Sequence, residues 1–406
     1  MSIFENFLIQ RFAYKSKRPF SKLIIGIAIA GIALGLSVMI SSVTIMNGFQ
    51  LTIKDKVRGF SGDLQVSLFS LNESPENEPF VVDKNDLQKI KKIPGVLNVS
   101  GFATKPCILT FKGNIEGVVL KGLSTASQTQ FFQERLLEGK SLNLNPDSIS
   151  NDILVPKVIA RMLNIHVGDR ILLYFIQEPL RKRKLTVRGI YDLGMEDLDK
   201  VYVVGDLRLI QRLNDWNAQQ IGGLEISIWD SKKTEITKSE VNKILPIRLK
   251  VFTVGQVYPQ LFDWLSLTEV NVRVILVLML LVGGINMISA LLIMILERTS
   301  TIGILKALGA DNGQISRVFL GIALFLVSIG IVLGDIIGIG FCAIQEKTHF
   351  IKLNQDVYYM SYVPVQFSWF AILALNIGTF LVCLIMILGP SVLVGRINPV
   401  KAIRFR

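Results

Sequence analysis

The sequence predicts a membrane α-helical protein, with four transmembrane helices and a large α+β extracytoplasmic domain. Three observations predict it. Half of the 406 residues are hydrophobic and the mean hydropathy is +0.47, too apolar for an ordinary water-soluble chain of this size. The apolar residues gather in four long stretches, and more than two hundred residues of ordinary globular composition separate the first stretch from the second.

A bilayer core is about 30 Å thick and a helix rises about 1.5 Å per residue, so a span needs roughly 20 mostly apolar residues. Leu23 to Ile45, Val274 to Leu296, Val318 to Ile344 and Phe370 to Leu393 meet that length. The chain then divides into a cytoplasmic segment (1–22), a first span (23–46), an outer domain (47–269) and a second span (270–296). A cytoplasmic segment (297–315), a third span (316–344), an outer loop (345–367), a fourth span (368–394) and a cytoplasmic tail (395–406) complete it.

The net charge of +12 raises the question of nucleic acid, and its distribution answers against that partner. The residues before Leu23, between Leu296 and Val318, and after Leu393 hold twelve Lys and Arg against three acids, Glu5, Glu297 and Asp311. From Asn47 to Glu269 the count is 29 against 26, and the loop from Ala343 to Gln366 carries two of each sign. By the positive-inside rule both termini and the middle loop are cytoplasmic and the large domain is outside. A cleaved signal peptide is the rival reading of the basic, then apolar, N-terminus. Its apolar run is longer than a usual signal core, and three later spans need the anchor to keep this orientation. Cys107 outside, with Cys342 and Cys383 in spans, makes no disulfide framework.

The outer domain repeats one pattern. Asp63 to Leu68 alternates as a strand, Asp83 to Ile93 has helical spacing, and Val96 to Phe102 is a strand again. Leu224 to Trp229, Thr237 to Leu245 and Ile247 to Val254 repeat that order. Two β-α-β halves make one ferredoxin-like layer, with about 130–220 as an inserted subdomain. Within the insertion, Ile171 to Ile176 and Lys184 to Tyr191 read as strands joined by a tight basic turn.

Both junctions with the membrane have helical spacing: Phe49, Ile53 and Val57 after the first span, and Leu261, Leu265 and Thr268 after Pro259 before the second. Rigid stalks carry force where a Gly/Ser linker does not; the plainer alternative is that these helices pack the domain onto the bilayer.

Two histidines, His166 and His349, and no Cys pair at ligand spacing leave little for metal or histidine catalysis. Gly117 and Gly122 have Walker-A spacing, but Leu123 stands where the phosphate-binding lysine belongs. No Gly-x-Ser-x-Gly elbow is present.

The middle cytoplasmic segment, Glu297 to Ala310, reads as a short amphipathic helix closed by Gly309, with Ile302, Leu305 and Leu308 in one stripe. Such a helix seats in a partner's groove or lies at the lipid interface. This run resembles the coupling segment of the four-helix ABC permeases with the FtsX-like and MacB-like fold. Ile397 to Arg404 is similar to that family's C-terminal ending. Met46-Asn-Gly-Phe49 and Val357-Tyr-Tyr-Met-Ser-Tyr-Val-Pro-Val365 resemble the lipoprotein-releasing LolC/LolE branch in particular.

The resemblance implies a MacB-like periplasmic core in the outer domain and a non-catalytic permease in the cell inner membrane, with its large domain periplasmic. It implies no cofactor in this chain, ATP and Mg being held by a separate LolD-like ATPase dimer. A second permease subunit, identical or different, lipoprotein cargo, membrane lipids and a periplasmic LolA-like chaperone are its implied partners. Glu297, Arg298, Thr299, Ile302, Gly303, Leu305, Lys306 and Leu308 would engage the ATPase. Met39, Val43, Met46 and Phe49, with Leu261 and Leu265, would shelter acyl chains, since flexible Met beside aromatic residues suits variable chains; packing or lipid-facing roles are the alternative. The turn Gln177, Glu178, Pro179, with Arg181, Lys182 and Arg183, would contact the chaperone. It is several residues shorter than the LolC-type hairpin, and a merely solvated loop is its other reading. Rival functions are export of a peptide, toxin or drug, FtsX-type control of a cell-wall hydrolase, and a receptor without an ATPase.

In span three, Asp335 must face protein, water or a partner. Gly330, Gly334 and Gly338 permit close helix contact. Packing accounts for both features; a proton relay would need a second titratable group nearby.

Overall fold

The computed structural model describes residues 19–69, 76–124, 126–145 and 148–395; the ending Ile397 to Arg404 lies outside them. The first described helix, α1 (Pro19–Ser61), runs without interruption from its apolar stretch into charged, outward-reading sequence. After Gly62 and Asp63 the chain enters β1 (Leu64–Leu68), with no flexible linker between helix and strand.

The first β-α-β half is β1, α2 (Lys84–Lys91) and β2 (Val96–Phe111). Asp83 starts α2 by accepting a hydrogen bond from Asn85 N at 2.9 Å, the usual service of an Asp N-cap. The chain then makes β3 (Asn114–Leu123), α3 (Ala126–Gln133), β4 (Leu136–Gly139), β5 (Asp152–Pro156) and α4 (Lys157–Leu163). It continues through β6 (Arg170–Phe175), β7 (Arg181–Tyr191), α5 (Glu196–Asp199), β8 (Tyr202–Asp206) and α6 (Leu207–Leu213). The second β-α-β half follows as β9 (Gly223–Ile228), α7 (Thr234–Ile244) and β10 (Leu249–Thr253).

Among the described residues all ten strands share one sheet, ordered β10-β1-β9-β2-β3-β8-β5-β7-β4, with β6 pairing β2 and β7. Its first four strands are antiparallel, with Leu64 opposite both Thr253 and Ile226. That order is the ferredoxin-like layer that the repeated pattern predicts. Leu64 and Val66 of β1 join Ile90, Ile226, Val241 and Val251 in one core, because alternate strand residues share a face with the helices that cover it.

A second core under the rest of the sheet already includes Ala103, Leu109 and Phe111 of the long strand β2. The second lobe thus draws on residues well ahead of 130, where the sequence pattern set its start. Gly117 and Gly122 lie inside strand β3, not in a phosphate-binding loop.

The end of α1 is fixed to this sheet. Arg58 pairs with the buried Asp63 and donates to Ile228 O at 2.9 Å, while Asp63 accepts from Ile228 N at 2.7 Å. The buried Lys121 pairs with Glu225 at 2.7 Å, bonds Phe60 O and lies over the Phe60 ring. Burial pulls the Lys121 ammonium below its ordinary range, opposed by Glu225.

After α8 (Val254–Val257), Pro259 opens α9 (Pro259–Glu297) as a first-turn proline. Then come α10 (Thr299–Ala307), α11 (Asn312–Thr348), α12 (Gln355–Tyr358) and α13 (Trp369–Gly395). Among the described residues four helices contain stretches long and apolar enough to cross a membrane: Leu23–Ser61, Pro259–Glu297, Asn312–Thr348 and Trp369–Gly389.

The chain forms two compact units: a helical one containing Leu265–Ile351, and an α/β one made of Thr52–Trp264 with Lys352–Tyr362. In the helical unit the three glycines of α11 sit against α1. A Cβ on Gly330 would meet Ile32 Cβ at 2.8 Å, one on Gly334 would meet Leu36 Cβ at 2.9 Å, and one on Gly338 would meet Ser37 Cα at 3.0 Å. This is the close packing expected of them. Asp335 accepts from Asn376 Nδ2 of α13 at 3.0 Å, so its polar partner is an amide and not a second titratable group.

Candidate functional site

The segment Glu297 to Ala310 is built as a tight bracket between α9 and α11. Glu297 ends α9 and Arg298 is the N-cap residue of α10. Thr299 Oγ1 donates back to Leu296 O at 2.8 Å. At the other end Gly309 adopts φ +96°, the left-handed conformation that glycine takes at least cost. Its N–H and that of Ala310 bond Lys306 O and Leu305 O, both at 3.0 Å, the Schellman closure. Asp311 then caps α11 through a reciprocal box with Gln314.

The outward face of α10 differs from the expected stripe. Ile302 is buried in the helical core with Ile315 and Val318, Gly303 is buried, and Leu305 and Lys306 are half-buried. The exposed apolar pair is Ile304 (51 % exposed) and Leu308 (80 %), at i and i+4 on one side of the helix. Ile302 turns inward because it meets the start of α11 in the bundle core, a contact that periodicity over nine residues does not reveal. Ile304 and Leu308 are therefore the large apolar side chains that α10 leaves exposed.

Among the residues expected to shelter acyl chains, Met39 is only 1 % exposed and packs with Leu36, Ile40 and Ile372. Met46 and Leu265 are buried, and Val43, Phe49 and Leu261 are half-buried. Met39 is therefore a packing residue of the bundle in this chain, as its seat in that core requires. Val43 and Phe49 retain surface for a ligand.

Two stretches singled out by resemblance meet here. A Cβ on Gly48 would lie 2.5 Å from Pro364 O and 2.9 Å from Val365 N, so only glycine lets these backbones approach. Gln366 N donates to Thr44 O at 3.1 Å beside it. The fully buried Gln345 staples the same loop, donating to Ile351 O at 3.2 Å and Val363 O at 3.0 Å and accepting from Ile351 N at 3.0 Å.

The intervening Lys352–Tyr362 belongs to the α/β unit, where it forms a polar clasp. Lys56 of α1 donates to Tyr359 O at 2.6 Å and Gly194 O at 3.4 Å. Gln355 donates to Asp192 at 3.2 Å, the Tyr359 hydroxyl donates to Asp197 at 3.0 Å, and the ring of Trp264 meets Tyr359 edge-on. Burial lowers the Lys56 pKa, while Asp192 and Asp199 oppose the shift. Burial raises Asp199 to about 6, although its carboxylate accepts from Leu193 N and Met195 N. Sequence reading missed this cluster. Its residues are short polar insertions far apart in the chain, and only Lys56, a cation on an otherwise amphipathic helix, offered a signal.

The hairpin β6–β7 also departs from expectation. Arg181, Lys182 and Arg183 are the first residues of β7, paired opposite Phe175, Tyr174 and Leu173; they do not form the turn. Arg181 is held by Asp215 at 2.6 Å and by Leu213 O at 2.7 Å, and Gln177 donates to Leu213 O at 3.2 Å. Hydrogen bonding to Arg181 lowers the Asp215 pKa. The tip is instead Glu178 and a cis Pro179 flanked by Ile176 (72 % exposed) and Leu180 (64 %). It exposes Ile176, Pro179 and Leu180 beside one acid, Glu178, while Lys182 and Lys184 are exposed on the strand that follows.

Residues 25–244 match the MacB-like periplasmic core domain, and residues 273–399 match the FtsX-like permease C-terminal domain. The chain is 21 % identical over 408 residues to the lipoprotein-releasing system transmembrane protein LolC of Xylella fastidiosa, covering 96 % of each chain. It is 22 % identical over 412 residues to LolE of Haemophilus influenzae, again with 96 % of each covered. The periplasmic region of MacB from Actinobacillus actinomycetemcomitans aligns with a TM-score of 0.36 at 11 % identity, covering 51 % of this chain and 96 % of that one.

Proposed function

Because the chain belongs to the permease family that joins a MacB-like periplasmic core to an FtsX-like C-terminal domain, we propose that it is the permease of an ABC machine that extracts lipoproteins from the inner membrane. The observation that carries this reading is the likeness to lipoprotein-releasing LolC and LolE proteins along 96 % of the chain. Both termini and α10 are then cytoplasmic, as the charge distribution favours.

A LolD-like ATPase dimer supplies ATP and Mg, so this subunit needs no cofactor and catalyses no reaction. Two permease chains, alike or different, pair across the complex. ATP binding closes the ATPases on Ile304 and Leu308, and the bracket around α10 passes the motion to α9 and α11. Helices α1 and α9 carry it outward as stiff rods, and the clasp at Lys56 draws in the loop between α11 and α13. A LolA-like chaperone receives the cargo, with the hairpin tip as the surface that fits it.

The energetics agree with the need for ATP. Each acyl CH₂ removed from lipid costs about 0.8 kcal/mol, so a triacylated anchor does not leave without work and an apolar shelter. Depleting the chain in its host tests the reading. Lipoproteins of the outer membrane should accumulate in the inner membrane. Chained cells with normal lipoprotein sorting would favour hydrolase control instead, and sensitivity to a toxin or drug with normal sorting would favour export.

A further inference from the structure

The α/β unit holds a cleft of about 960 Å³ that none of the groups above occupies. This is at the upper end of the roughly 300–1,000 Å³ usual for ligand clefts. Its floor is the apolar face of the central strands, with Val99 and Gly101 of β2, Leu123 of β3 and Leu224 of β9. Helix α2 forms one wall, while α6 and the 218–221 turn form the other.

The rim carries Lys84, Lys91 and Arg208 against Asp83 and Asp206, so it leans positive by one charge. Asp83 and Asp206 face the cleft, but each is engaged as a helix cap. Asp83 accepts from Asn85 N at 2.9 Å, and Asp206 from Arg208 N at 2.9 Å and from the Arg208 guanidinium at 2.6 Å. Lys84 and Lys91 are exposed on the same rim and have no ion-pair partner among the described residues. They stand seven residues apart on α2, so they share a helix face about 10 Å apart. One phosphate headgroup cannot meet both at that distance. A polyproline-II segment returns its side chains to one face every third residue, about 9 Å on, and does span them.

We infer that this cleft binds an extended peptide segment with two acidic side chains three residues apart and an apolar residue between them. The acids meet Lys84 and Lys91, and the apolar side chain rests on Leu87 and Ile221, which line the cleft and are half-buried. The inference goes beyond lipoprotein release and holds whatever the transported cargo is.

Fluorescence anisotropy of a labelled Glu-x-x-Glu peptide with a central Leu, titrated with the full chain in mild detergent, tests it. Saturable binding should weaken about tenfold on raising salt from about 50 to about 300 mM. It should weaken at least about tenfold in the K84E/K91E double variant, whose exposed positions leave thermal unfolding unchanged, and fall again in Ala218→Trp, which fills the cleft. A control peptide with adjacent acids should bind more weakly. Absence of saturable binding, equal binding by K84E/K91E, or full displacement by phosphatidylglycerol vesicles would overturn the inference.

Discussion

The ammonium of Lys56, near the outer end of α1, donates to the main-chain carbonyl of Tyr359 at 2.6 Å. Residues 303 positions apart in sequence are thereby joined, and the segment linking α11 to α13 is fastened to the same unit as the stalk. A charge-assisted hydrogen bond of this kind contributes about 1.5–3 kcal/mol. Lys56→Met should therefore speed amide exchange in 352–362 by about 10- to 100-fold while the sheet strands keep their protection. Unchanged exchange would show that the clasp is not holding the segment.

Asp199 makes stability depend on pH in a defined direction. Its pKa rises from 3.8 to about 6, chiefly by burial, so between these values the folded state binds more protons than the unfolded state. The stabilisation is complete below about 3.8 and is lost as pH rises through about 6. The wild type should gain up to about 2–3 kcal/mol relative to Asp199→Asn on going from pH 7 to pH 4. Thermal melts of both proteins across that range measure it, and parallel curves would contradict it.

Gly48 has no room for a methyl group, since Pro364 O would lie 2.5 Å from it. Gly48→Ala should cost about 1–3 kcal/mol and shift the melting midpoint down by several degrees. Gly340→Ala, with nothing within 4 Å of the new Cβ, should melt as the wild type does.

The α11 glycines make the same argument inside the bundle. Gly334→Leu places a branched side chain where a Cβ already meets Leu36 Cβ at 2.9 Å and Ala33 O at 3.0 Å. Gly334→Leu should therefore lower the melting midpoint by several degrees, and a variant that melts as the wild type does would contradict the close seam.

What the sequence disclosed follows from which forces leave a local trace. The spans are legible because the bilayer demands unbroken apolar length, and the ferredoxin-like halves because strand and helix periods alternate twice. The side of α10 that faces outward is not legible. Ile302 and Ile304 are both apolar, and only the start of α11 decides which is buried. Met39 reads equally well as an acyl-chain contact or a packing residue until Leu36, Ile40 and Ile372 are seen around it. The basic run Arg181 to Lys184 has turn-like composition, yet the pairing of β7 with β6 places it in a strand. The clasp of Lys56 with Gly194 and Tyr359 depends wholly on contacts distant in sequence.

The most direct test of the account is ATP-driven release of a labelled triacylated lipoprotein to a soluble chaperone, in proteoliposomes containing this permease and its ATPase. Wild-type chain should support release, and Ile304→Asp with Leu308→Asp should reduce it at least about tenfold while leaving the fold and the lipoprotein's membrane insertion intact. Equal release by the double variant would contradict the central claim.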